Sequence, residues 1–319
     1  MTTADVRKIY PTDQIAIREV GLRDGLQLTK SWPSTAQKVA WIDSDYAAGV
    51  RYFEVGSFLP ADKVPRFADV RDVVSAVNRH GNAHGVALAL NQRGAMDALE
   101  TAVGEITVVI SASQAHNEAN VRRTQEQSLA EIANVVKLRN EAGKKTIINA
   151  GIAMSFGCSL SGPVAEDDVM RMVDRCFEAG VDMVGLADTV GFAGPRQISS
   201  LCGRMTQRLG DLPFVIHLHD TRGMGIANAG AALDAGCRVF DASLAGLGGC
   251  PFAPGATGNV VLEDLIFLAE TKGFATGIDV GKLIETRSIL ADALPEETLY
   301  GALAKAGAPT TLDWQAPAA

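Results

Sequence analysis

The sequence predicts an α/β fold, a (β/α)8 TIM barrel with extra C-terminal helices. Three observations carry that reading. A helical stretch ending in Ala-Gly is followed by a short β-rich run at 46–55, 140–149, 177–186 and 233–242. Further β-rich runs at 15–20, 84–90, 105–112 and 214–220 bring the strand count to eight, separated by segments of helical length and polarity. No GxGxxG or P-loop glycine cluster follows the first strand, where an open doubly wound sheet would carry one; VGLRDGLQ stands there instead.

In chain order, an N-terminal extension (1–14) leads into strand one, IAIREV (15–20). Strand two follows the helix stop at Ala48-Gly49, where glycine adopts the left-handed conformation cheaply. HGVALAL (84–90) and EITVVISA (105–112) are strands three and four. Strands five and six follow Ala142-Gly143 and Ala179-Gly180, FVIHLHD (214–220) is strand seven, and strand eight follows Ala235-Gly236. The catalytic barrel is thus expected over 15–270. A helical extension and a loose tail ending in TTLDWQAPAA occupy 271–319.

Composition narrows the function classes. With 319 residues, 47% hydrophobic and 21% charged, the chain has enough apolar material for a full core. A net charge of -8, from 29 Lys+Arg against 37 Asp+Glu, argues against nucleic acid as a partner, because binding a phosphate backbone needs a basic face. Cys158, Cys176, Cys202, Cys237 and Cys250 are scattered singly with no CxxC pair, which fits a reducing cytoplasm. The start, MTTADVRKIYPTD, has no apolar h-region, so no leader is expected. The longest uncharged stretch, 146–165, is interrupted by Asn149, Gly151 and Pro163 among others, so no membrane association is expected.

In this barrel class the chemistry sits at the C-terminal ends of the strands. Three clusters stand at such positions. Arg23-Asp24 directly follows strand one. His217 and His219 share one face of strand seven through their two-residue spacing. The glycine-rich loop after strand eight, AGLGGCPFAPGATGN, delivers Cys250 and Asn259. Two histidines with an Asp and an Asn at one rim form a mixed N/O set suited to a divalent ion with open positions. Read singly, each histidine has a bland alternative as a satisfied rim residue. For Arg23 the alternative is an ion pair with Glu19 or Glu54. Cys250 alone could be a buried small hydrophobe, though its glycine-rich setting favours an exposed thiol.

REVGLRDGLQ, FEVGSF, LADTVG, HLHDTRG and GLGGCPFAPGATGN, in this order, resemble the 3-hydroxy-3-methylglutaryl-CoA lyase family over about residues 15–278. The resemblance implies that Asp24, His217, His219 and Asn259 bind Mg²⁺ or Mn²⁺. Arg23 would stabilise the enolate oxygen of departing acetyl-CoA, and Cys250 would transfer a proton. Gln27, Glu54, Asp188, Asp220 and Glu263 match polar positions that support this centre in the family. Glu19 is expected to support the same shell, and His217 and Asp24 to act in catalysis along with Glu54. The implied partner is an acyl-CoA thioester, with Gln27, Asn149 and Asp188 facing it and Lys30 and Arg222 as candidate cations for the CoA phosphates. A homodimer is common in the family.

The chain departs from the family at the acyl pocket. Leu28-Thr29 replaces the usual Asn-Glu, Asn149 and Gly151 replace an Arg and a Tyr, Gly185 stands where a serine is frequent, and Arg222 replaces an aromatic. These differences leave open a citramalyl-CoA or longer-branched glutaryl-CoA substrate. Two other readings are a synthase condensing a 2-oxo acid with acetyl-CoA, and a non-catalytic binding barrel.

Overall fold

A computed structural model describes residues 3–248 and 258–309. Eight parallel strands close in sequence order: β1 (Ala16–Glu19), β2 (Tyr52–Ser57), β3 (His84–Leu88), β4 (Glu105–Ser111), β5 (Ile147–Ala153), β6 (Met183–Asp188), β7 (Val215–Leu218) and β8 (Val239–Ala242). β8 pairs back onto β1 from Ala16↔Val239 to Glu19↔Ala242. The expected barrel is therefore present, with its strand ends shifted by a few residues. β5 runs on to Ala153, and β7 stops at Leu218, so His219 lies one residue beyond it.

The helices are α1 (Thr3–Ile9), α2 (Thr35–Ala48), α3 (Val70–Asn78), α4 (Gln92–Leu99), α5 (Gln114–Val121), α6 (Gln125–Glu141), α7 (Glu166–Glu178), α8 (Pro195–Leu209), α9 (Gly225–Asp234), α10 (Leu262–Thr271), α11 (Val280–Ala293) and α12 (Ala302–Ala306). Their starts follow local chemistry. Ser34 with Gln37 and Thr124 with Gln127 form reciprocal capping boxes on α2 and α6. All four Ala-Gly stops have the expected positive φ, from 63° at Gly143 to 115° at Gly49. At Gly49 the requirement is doubled, because a Cβ there would stand 2.3 Å from the Gly277 carbonyl oxygen, where the chain returns towards α11.

The main core lies between sheet and helices, with Phe53, Ile106, Ile148, Val184, Ile216 and Phe240 facing outward from their strands. Inside the barrel, Ala16, Ile147, Met183, Val215 and Val239 form an apolar bottom layer closed by Val6 and Tyr10 from the N-terminal segment. The layer above it is polar: Arg18, Glu105, Asn149 and Asp241 are all buried there. Among the described residues, no helix is long and apolar enough to cross a membrane.

Candidate metal centre

Two backbone devices assemble the site at the C-terminal mouth. After β1 the chain turns tightly, with the Val20 carbonyl accepting from the amides of Arg23 at 3.1 Å and Asp24 at 2.8 Å. A 3₁₀ turn over Gly25–Leu28 follows and leaves Arg23 and Asp24 over the barrel end. The second device extends β7. His219 forms an antiparallel bridge with Asn259, flanked by Asp220 N to Gly258 O at 2.8 Å and Val260 N to Leu218 O at 3.2 Å. That bridge brings the loop after β8 beside the histidines. Gly248 completes the fit: its φ is 113°, and a Cβ would lie 2.7 Å from Asn259 Nδ2 and 3.1 Å from Gly25 Cα.

One ligand atom each from Asp24, His217 and His219 lie within 4.8 Å of one another. The two Nε2 atoms are 3.0 Å apart, and His219 Nε2 is 4.0 Å from Asp24 Oδ2. His217 Nδ1 lies 3.0 Å from Asp241 Oδ2. An ionised carboxylate can only accept, so this contact places the proton on Nδ1 and leaves the Nε2 lone pair facing the centre. Asn259 Nδ2 donates to Asp24 Oδ2 at 2.9 Å and to the Leu247 carbonyl at 3.1 Å. Asn259 Oδ1 is buried with no hydrogen-bond partner, as is His219 Nδ1.

Charge is organised around the same point. Burial alone would raise the Asp24 carboxyl, but Arg23, then His217, His219 and the Asn259 amide hold it down at about 2. Burial and the neighbouring His217 push His219 down to about 4, so its imidazole is neutral at pH 7. Arg23 Nη1 donates to Asp24 Oδ1 at 2.6 Å, while Nε lies 2.8 Å from Glu54 Oε1. Despite its desolvation, the flanking Glu54 and Asp24 raise its pKa further, so it stays a cation. Gln27 Nε2 also reaches Asp24 Oδ1, at 3.1 Å.

These residues fit a hard divalent ion. An ionised carboxylate, two imidazoles whose Nε2 atoms converge and an unpartnered amide oxygen are the donor types such an ion takes while keeping open positions. A buried acceptor with no partner is uncommon enough to need an explanation, and a cation supplies one.

The remaining expected residues divide by what they touch. Arg23 pairs with Glu54, not Glu19. Glu19 faces away from the barrel interior and accepts from the amides of Gly21 and Leu244, the latter at 2.8 Å. Glu263 accepts from the Ala245 amide at 3.0 Å and from Arg287, so it and Glu19 hold the backbone that follows β8. Asp220 Oδ1 accepts from Gly225 N, at the start of α9. Asp188, expected at the substrate, accepts from the amides of Phe192 and Ala193 and fixes the loop after β6. Arg222 Nη1 donates to the carbonyls of Val190 and Gly191, and its guanidinium stacks over the Phe192 ring. Lys30 is exposed at the rim, 4.0 Å from Glu296. Asn149 lies deeper than a substrate contact at the rim, donating to Glu105 Oε1 at 3.0 Å. Arg18 on β1 donates to the same Glu105 oxygen at 2.7 Å. Cys250 lies outside the described residues. Sequence reasoning did not find Arg18, Glu105 or Asp241.

Fold and site together define a (β/α)8 barrel of the metal-dependent enzyme kind, with an N/O cation centre and a clamped arginine at its C-terminal mouth. The chain belongs to the HMGL-like family, whose model matches residues 14–290. It is 36% identical over 276 residues to hydroxymethylglutaryl-CoA lyase YngG of Bacillus subtilis, covering 86% of this chain and 91% of that protein. It is 35% identical over 293 residues to (R)-citramalyl-CoA lyase of Chloroflexus aurantiacus, covering 88% and 92%. A solved structure of an HMG-CoA lyase from Acinetobacter baumannii, in complex with coenzyme A and 3-methylmalate, superposes with a TM-score of 0.86 at 37% identity. That match covers 95% of this chain and 98% of the other.

Proposed function

We propose that this protein is a divalent-metal-dependent carbon–carbon lyase that cleaves 3-hydroxy-3-methylglutaryl-CoA to acetyl-CoA and acetoacetate. The observation that carries the reading is the convergence of Asp24, His217 and His219 beside a guanidinium clamped by Asp24 and Glu54. Asp24, His217, His219 and Asn259 would hold the ion, Mg²⁺ or Mn²⁺. When bound, it supplies Lewis-acid polarisation of the substrate's oxygen ligands.

The chain's own groups do the rest. Retro-Claisen cleavage would pass the C3 hydroxyl proton to a base at the centre, where Asp24 is the ionised carboxylate, break the C2–C3 bond as that oxygen becomes a ketone, and leave the electron pair as a thioester enolate. Arg23 presents a permanent cation to the enolate oxygen, held in one orientation by the two carboxylates. Preorganised charge of this kind acts most strongly where charge appears only in the transition state. Protonation of the enolate carbon then gives acetyl-CoA, a step the family resemblance assigns to Cys250. Lys30, exposed on the rim beside Glu296, would meet a CoA phosphate. Arg222 contributes through the loop it braces.

A second substrate reading has its own support. Gly151 on β5 and Gly185 on β6 put no side chain into the barrel wall, and Thr107 Oγ1 on the neighbouring β4 is buried without a hydrogen-bond partner. Together with the similarity to a citramalyl-CoA lyase, this keeps citramalyl-CoA and longer-branched glutaryl-CoA thioesters as alternatives. Acetyl-CoA release from each thioester with Mg²⁺ or Mn²⁺ decides between them. Highest kcat/KM on hydroxymethylglutaryl-CoA supports the first reading; no release from any of the thioesters overturns both. A cytoplasmic location and a homodimer belong to the same proposal, and light scattering tests the latter.

A further inference from the structure

Barrel interiors of this class are ordinarily packed with branched apolar side chains. Here the layer beneath the metal centre is instead a continuous polar chain. The Tyr10 hydroxyl, just beyond α1, donates to Glu105 Oε2 at 2.7 Å. Glu105 Oε1 accepts from Arg18 Nη1 at 2.7 Å. Arg18 turns its other edge to Asp241 as a fork, Nε to Oδ1 at 2.6 Å and Nη2 to Oδ2 at 3.0 Å. Asp241 Oδ2 then meets His217 Nδ1 at 3.0 Å. Arg18, Glu105 and Asp241 are 3%, 0% and 8% exposed, so water does not share these bonds.

Folding alone does not explain this layer, because well-packed apolar residues commonly replace a buried ion network without loss of stability. Direction does. A histidine ring can flip about χ2 and can carry its proton on either nitrogen. Asp241 selects the Nδ1 tautomer of His217, but a lone aspartate could rotate out of the ring plane. The Arg18 fork engages both Asp241 oxygens at once and fixes that carboxylate's plane, and Glu105 anchors the far end of the guanidinium.

We infer that Arg18 is a positioning residue for the metal centre: by clamping Asp241 it fixes the tautomer and ring plane of His217 before any metal arrives. The inference rests on the metal reading proposed above.

The test uses the full chain with Mn²⁺ alone as probe. Arg18→Met removes the clamp. Arg18→Lys keeps the charge but offers no fork. Free Mn²⁺ is followed by electron paramagnetic resonance, melting is recorded without metal, and ring ¹⁵N shifts report the His217 tautomer in the metal-free protein. Loss of outer partners of a metal-bound histidine typically weakens affinity about 10–100-fold. Arg18→Met should therefore bind Mn²⁺ at least about tenfold more weakly and show mixed tautomers. Arg18→Lys should melt near the wild type yet still bind several-fold more weakly, a separation a merely structural role would not produce. If Arg18→Met does not fold, Arg18→Lys decides by the same readings. Mn²⁺ affinity within twofold of wild type, with an unchanged tautomer, overturns the inference. Wild-type protein that binds no Mn²⁺ but shows Arg18-dependent tautomer selection overturns the metal reading and leaves the clamp standing.

Discussion

Replacing Arg23 with lysine isolates the role of its shape from that of its charge. The guanidinium is held at two edges, 2.6 Å from Asp24 Oδ1 and 2.8 Å from Glu54 Oε1. At such separations each pair has a gross attraction of about 6 kcal/mol for an effective dielectric near 20, enough to hold one orientation. A lysine ammonium sits on a flexible stem and cannot present a planar fork to both carboxylates while facing a substrate oxygen. The expected loss is that of one preorganised transition-state donor, about 2.7–4 kcal/mol, or roughly 10²–10³ in kcat. Because the enolate charge exists only in the transition state, KM should stay within about threefold. The assay is steady-state release of acetyl-CoA, with Mn²⁺ binding measured on the same preparation. Arg23 Nη1 donates to the ligand carboxylate of Asp24, so kcat is read at saturating Mn²⁺ to separate loss of the enolate donor from weakened metal binding. A kcat within about threefold of wild type, or a loss residing entirely in KM, would refute the reasoning.

Two further expectations follow from the same geometry. Glu105 is buried, which alone would raise its carboxyl, but Arg18 first, then His84 and Tyr10, hold it below the usual range. Its stabilising contribution is therefore complete above the unfolded carboxyl's pKa and disappears as pH falls through the folded one. Glu105→Gln should cost about 3 kcal/mol at pH 7, as breaking a buried pair does, with the difference from wild type shrinking below about pH 4; denaturant titrations at pH 7 and pH 3 check it, and an equal cost at both contradicts it. Gly248→Ala forces a side chain into a backbone conformation with φ of 113° and against Asn259 Nδ2. A stability loss of about 1–3 kcal/mol should appear in thermal melts, together with weakened Mn²⁺ binding, while an unperturbed melt and affinity would show that the loop yields freely.

Much of the fold was legible because two local rules recur along the chain. Each Ala-Gly stop is a helix end that needs positive φ, and each is followed by a strand. What periodicity could not supply was the exact strand end: β7 stops at Leu218 because the Asn259 bridge takes over at His219, and that partner is 40 residues away. The members of the cluster were legible because Asp24, His217, His219 and Asn259 all fall at strand ends or in the loops that follow them. The layer beneath was not. Arg18, Glu105 and Asp241 each lie within a β-rich run, and a charged residue there was a usable signal. Their shared depth, however, depends on the stagger between β1, β4 and β8, which only barrel closure fixes. Asp188 and Asp220 sit beside recognisable motifs, yet their carboxylates are engaged with amides of their own loops. Adjacency in sequence does not distinguish a ligand from a loop brace.

A crystal of the protein grown with Mn²⁺ and measured near the manganese absorption edge tests the central claim most directly. The account predicts one anomalous peak per chain at the barrel mouth, coordinated by Asp24, Nε2 of both His217 and His219, and Asn259 Oδ1. A peak elsewhere, or His217 and His219 turned away from it, would contradict the account.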